Sequence, residues 1–142
     1  MLEVQIFTLY PDLYPGLLDI GIYKKAQEKQ KWNLKIIDIR NYAFDDNRTV
    51  DDTPFGGGSG MLLKPDVVAS ALDKNIKGKE KIIYLSPKGK RLDQKEVKSL
   101  SKLNKINILC GHFEGVDQRL LETRNIEAVS YTHLTLPTMD SV

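Results

Sequence analysis

The stretch "KIIYLSPKGKRLDQKEVKSLSKLNKINILC", residues 81–110, decides the fold. It opens on "KIIYL" at 81–85, a short apolar run of the buried-strand type. A turn through Ser86, Pro87 and Gly89 follows. Residues 93–103, "DQKEVKSLSKL", then place Val97, Leu100 and Leu103 at helical spacing, which predicts a helix with one apolar stripe. "INILC" at 106–110 is a second buried-type strand. Strand, helix and strand in succession argue for a largely parallel sheet covered on both faces, an α/β fold.

Working outward, the same alternation continues. "LEVQIFTL" at 2–9 and "WNLKIIDI" at 32–39 read as strands, and "LLDIGIYKKAQEKQK" at 17–31 reads as a helix with a basic end, which suits the helix dipole. Lys64 to Asn75 looks helical, with Pro65 near its first turn and Val67, Val68 and Ala71 on one side. "VDQRLLETR" at 116–124 begins a further helix with Asp117 in its first turn. Between residues 40 and 61 lies a long stretch without periodicity; loops of that length are usually functional or mobile. There is no internal repeat.

Composition bounds the function. At 142 residues the chain is long enough for one domain with a real core. Hydrophobic residues at 41% and charged residues at 28% read as a soluble globular protein, and no apolar run approaches a membrane span. The N-terminus lacks a basic n-region and does not read as a signal peptide. A single cysteine, Cys110, excludes an internal disulfide and a Cys-rich zinc site and points to a reducing, cytoplasmic setting. All 21 Lys and Arg fall within residues 1–124, with 17 of the 19 acids, leaving that part at +4. Such an excess permits a nucleic-acid partner without demanding one.

In parallel α/β sheets ligands sit beyond the carboxyl ends of the strands, and two such ends are distinctive here. "LSPKG" at 85–89 is either an ordinary strand-to-helix turn or a loop whose freed backbone groups bind a cofactor edge. Lys88, Lys90 and Arg91 beside it form a solvated face or meet phosphates. "CGHFEGVD" at 110–117 brackets His112, Phe113 and Glu114 between Gly111 and Gly115. It presents Glu114 to a ligand or uses it to cap the next helix; His112 alone is weak evidence for acid–base chemistry, and Cys110 reads as a small core residue. The third feature is "DDTPFGGGSGMLLKP" at 51–65, with Gly56, Gly57, Gly58 and Gly60. It lacks the Lys-Ser/Thr of a phosphate-binding P-loop, and Met61 stands where a dinucleotide fingerprint needs its third glycine. It is either a flexible surface loop or a place where a planar or anionic ligand approaches the backbone closely. Asp51 and Asp52 have no further ligand spacing that supports a metal.

Four stretches, "IFTLYPDLYPGLL", "NRTVDDTPFGGGSGMLLKP", "IIYLSPKGKRLDQ" and "ILCGHFEGVDQRL", keep their order and spacing over residues 1 to about 130. Together they resemble the bacterial tRNA (guanine-N1)-methyltransferases of the SPOUT class, which modify the guanine 3′ of the anticodon. The resemblance implies a parallel α/β fold with a deep trefoil knot, a homodimer, and S-adenosylmethionine bound within the knot. It assigns Tyr84, Leu85, Ser86 and Pro87 to one side of the cofactor, and Gly111, Phe113, Glu114 and Gly115 to another. Arg48, Asp51, Gly57, Gly58 and Gly60 are expected to face the tRNA and its target base. A non-catalytic RNA- or nucleotide-binding module is the alternative.

The resemblance breaks after Ser130. The family continues with Gly-Asp-Tyr and Gly-Gly-Glu motifs that close the knot, where this chain reads "YTHLTLPTMDSV" at 131–142, without a glycine or a base. Residues 1–130 are therefore expected to form a partial cofactor-binding domain and 131–142 a non-native, poorly packed tail. The knot is expected to be incomplete and the helical C-terminal domain absent. The general-base Asp and partner Arg of the family lie beyond the matched residues, so no catalytic residue is assigned and the 142 residues are expected to be inactive.

Overall fold

A computed structural model describes residues 1–47, 49–52, 62–110 and 116–130. Its frame is a five-stranded sheet built from β1 (Leu2–Thr8), β2 (Trp32–Asp38), β5 (Lys81–Arg91), β6 (Lys105–Cys110) and β7 (Glu127–Ser130), in the order β2-β1-β6-β5-β7. Every adjacent pair runs parallel, as the alternation of strands and helices predicts. Two short strands, β3 (Asp51–Asp52) and β4 (Leu62–Leu63), pair antiparallel and flank the glycine segment. Residues 131–142, on which closure of the expected knot turns, lie outside the described residues.

Two faces of the sheet bury two clusters, because strand side chains alternate. On one face Phe7, Ile82, Tyr84 and Leu109 meet α2 (Pro65–Asn75), which buries Val67, Val68, Ala71 and Leu72, and α4 (Gln118–Thr123), which buries Leu120. On the other, Ile83, Ile106 and Val129 pack with Leu100 of α3 (Gln94–Ser101). Val97 and Leu103 of the expected stripe each stay 38% exposed, so only Leu100 seats fully in that contact. Asp93 caps α3 by accepting from the Glu96 N–H at 2.8 Å, and Asp117 caps α4 by accepting from the Arg119 N–H at 2.8 Å. The cap of α4 is thus Asp117, one position before the helix rather than inside its first turn.

The helix expected over 17–31 is cut short. Residues Pro11–Leu13 and Gly16–Asp19 form 3-10 turns, and the α-helix α1 occupies only Gly21–Glu28. Gly21 sits at φ 62°, a left-handed conformation that interrupts a right-handed helix, and Gln30 at φ 59° ends it. α1 buries no residue. Two strand readings also shift: the run at 81–85 continues as strand to Arg91, and β7 follows α4 without a periodic signal of its own.

Candidate functional site

The carboxyl ends of β5, β6 and β7 lie side by side, because the three strands are parallel neighbours. β5 pairs with Val129 of β7 twice, first through Leu85 and again through Lys90. Residues 86–89 therefore leave the ladder and return to it, an excursion whose peptide groups lack β7 partners. Gly89 makes the return possible. A Cβ there would stand 2.5 Å from the Val129 nitrogen and 2.6 Å from the Ala128 carbonyl carbon, both of them backbone atoms that cannot yield. Pairing resumes at Arg91 with Ser130, and the Leu92 N–H donates to the Ser130 carbonyl at 2.8 Å. A cradle of unladdered backbone at a strand's carboxyl end suits a ligand that presents hydrogen-bonding edges.

The neighbouring ends converge on it. Tyr84 is 8% exposed and packs in the main core. Burial pushes its hydroxyl's pKa up, opposed by the Val116 backbone N–H, which donates to that hydroxyl. Val116, just past the 111–115 segment, also bridges in parallel to Leu63 of β4. Leu63 in turn pairs with Asp51, and the Lys64 N–H donates to the Val50 carbonyl at 2.7 Å. The three segments singled out from the sequence thus meet around one backbone residue. At the end of β6 the Cys110 thiol lies 3.5 Å from the Tyr14 hydroxyl, and burial raises its pKa despite that contact. A thiol held in its neutral form is not a nucleophile, in keeping with its reading as a core residue.

Of the expected cofactor residues, Tyr84 and Leu85 end the first part of β5, and Ser86 and Pro87 open the excursion. Of the expected RNA-facing residues, Asp51 is placed by its pairing with Leu63. Gly111, Phe113, Glu114 and Gly115, with Arg48, Gly57, Gly58 and Gly60, lie outside the described residues. Gly89 and Val116 were not singled out as site residues. Gly89 stood in the quoted turn, but the strand it abuts carried no signal; nothing local marks Val116, whose partners are 32 and 53 positions away in sequence.

The largest cleft lies at the opposite, amino edge of the sheet. It measures about 1070 Å³ and is lined by Lys79, Lys81, Lys105 and Arg124 with Glu80 and Glu127. Its charges are already paired: Lys81 with Glu127, Lys105 with Glu80 at 3.0 Å, and Arg124 with Asp73 at 3.0 Å. Among the described residues no group of His, Cys, Asp and Glu is arranged to hold a metal ion, and no helix is long and apolar enough to cross a membrane.

Sheet, crossovers and carboxyl-edge cradle define a parallel α/β domain of the kind that binds a nucleotide-like ligand beyond its strand ends. The chain belongs to the tRNA (guanine-1)-methyltransferase TrmD family, whose model matches residues 2–139. It is 60% identical over 130 residues to a protein of Pelagibacter ubique (strain HTCC1062) named tRNA (guanine-N(1)-)-methyltransferase, covering 92% of this chain and 57% of that one. Proteins of the same name from Agrobacterium fabrum (48% over 129 residues; 90% and 56% covered) and the Wolbachia of Culex pipiens (43% over 122 residues; 84% and 53% covered) are also similar. The chain spans about half the length of these curated relatives.

Proposed function

We propose that the chain carries the methyl-donor site, and part of the RNA-facing site, of a cytoplasmic tRNA methyltransferase acting on N1 of the guanine 3′ of the anticodon. The observation that carries this reading is the 60% identity over 92% of the chain with a relative of that name. When bound, S-adenosylmethionine supplies a sulfonium-activated methyl group. The unladdered backbone at 86–89 supports a cofactor edge held beside Tyr84, Leu85, Ser86 and Pro87, with Gly111, Phe113, Glu114 and Gly115 facing it. Methyl transfer is an in-line displacement, so the chief task of these residues is orientation. The glycine loop at Gly57, Gly58 and Gly60, with Arg48 and Asp51, closes on the target base from the hairpin held next to this edge.

The N1 proton of guanine must also leave, which requires a general base and stabilisation of charge on the base's oxygen. The family's Asp and Arg for that work map to no residue of 1–142, and we read 131–142 as a non-native tail. The 142 residues alone are therefore expected to transfer no methyl group. We further propose a homodimer, supported by apolar side chains left uncovered just after β1, among them Leu17 and Ile22 at 79% and 76% exposed.

The test is a chimera in which residues 1–130 replace the matching segment of the Pelagibacter ubique relative. Folding is checked by circular dichroism, and methyl incorporation is measured on tRNA transcripts carrying guanine or adenine 3′ of the anticodon. Transfer to the guanine transcript alone is the expected result. A folded chimera that binds tRNA but neither binds S-adenosylmethionine nor transfers its methyl group would support a binding module instead.

A further inference from the structure

Val116 joins two segments that are far apart in sequence. Its backbone N–H donates to the Tyr84 hydroxyl on β5, and its backbone bridges to Leu63 at the base of the glycine hairpin. Both partners are seated in the main core, Tyr84 nearly and Leu63 fully buried. The hairpin needs such an anchor, since β3 and β4 are two residues each and a two-stranded ribbon is at best marginal on its own.

We propose that Tyr84 is a positioning residue whose hydroxyl, through Val116 and Leu63, sets the base of the glycine hairpin relative to the excursion at 86–89. A phenylalanine would fill the same core volume, so the hydroxyl is present for its bond and not for packing. The tie makes the placement of the segment ahead of α4 and of the hairpin a single event. Its meaning for RNA and cofactor rests on the methyltransferase reading, but the tie itself is measurable in the unliganded chain.

The experiment is site-resolved amide hydrogen exchange by NMR on the whole chain and on Tyr84→Phe. In the variant the Val116 amide proton is expected to move upfield as its acceptor is lost. Exchange at Val116, Leu63 and Lys64 is expected to speed up by roughly tenfold, the scale of one lost hydrogen bond. Exchange at Val4 and Ile36 in β1 and β2 should stay within about twofold, since those amides lie outside the tie. A second variant, Val116→Ala, keeps the N–H and should leave Leu63 and Lys64 protected. The proposal is overturned if Val116 alone responds, if β1 and β2 accelerate equally, if Val116→Ala reproduces the whole pattern, or if no amide responds. Each outcome is read without methyl transfer, so it is distinct from failure of the proposed activity.

Discussion

Glu80 keeps its charge in a crowded place. Burial acts to raise its pKa, but the Asn107 side-chain amide at 3.1 Å, the Lys77 N–H at 2.9 Å and the Lys105 ammonium at 3.0 Å outweigh it, so the pKa lies below its ordinary 4.5. Asn107 in turn accepts from Gln5 at 2.8 Å, and the two face each other across β1 and β6, both fully buried. A carboxylate with a lowered folded pKa contributes stability that is complete above its unfolded value and is lost as pH falls through the folded one. Glu80→Gln should therefore destabilise by about 1–2 kcal/mol at neutral pH. That difference should shrink below pH 4.5, as urea titrations across the acid range would register. The sequence placed Cys110 in the core from its type alone. It could not pair Gln5 with Asn107, which are 102 positions apart, because that register depends on which strands become neighbours.

At the scale of the element, β5 and β7 interlock by backbone rather than by side chains. Both arms of the excursion return to Val129, and Gly89 rests against the Ala128–Val129 peptide. Gly89→Ala should cost about 1–3 kcal/mol as an overpacking change. Its effect should centre on the exchange of amides 127–130 rather than on β1. An unchanged denaturation midpoint would mean the two strands can separate to admit a methyl group. The apolar runs of β1, β2 and β6 were legible because period-2 patterning and burial coincide there. The helix over 17–31 misled because its apolar spacing hid Gly21, whose left-handed backbone splits the run. β7 was missed because "EAVS" is too short to show a period.

For the molecule as a whole, the uncovered apolar side chains after β1 are the feature a lone chain explains least. Leu13, Leu17, Ile20 and Ile22 are each more than half exposed, and α1 buries none of its residues. A homodimer that covers them should give the dimer mass in sedimentation equilibrium. The double variant Leu17→Asp, Ile22→Asp should sediment as a monomer with its circular dichroism unchanged, since neither side chain supports the core. A monomeric parent chain would remove the basis for the dimer.

The parallel α/β class, the order of strands and helices along the chain and the motif-bearing segments were all determined by the sequence. Each of these is written in local apolar spacing, turn residues or short motifs. Only the tertiary structure decided that β7 lies beside β5, that Gly89 abuts its backbone, and that Val116 gathers Tyr84 and Leu63. These depend on contacts between residues tens of positions apart, for which a linear pattern holds no signal. They form once the sheet has chosen its neighbours and buried polar groups must find partners within it.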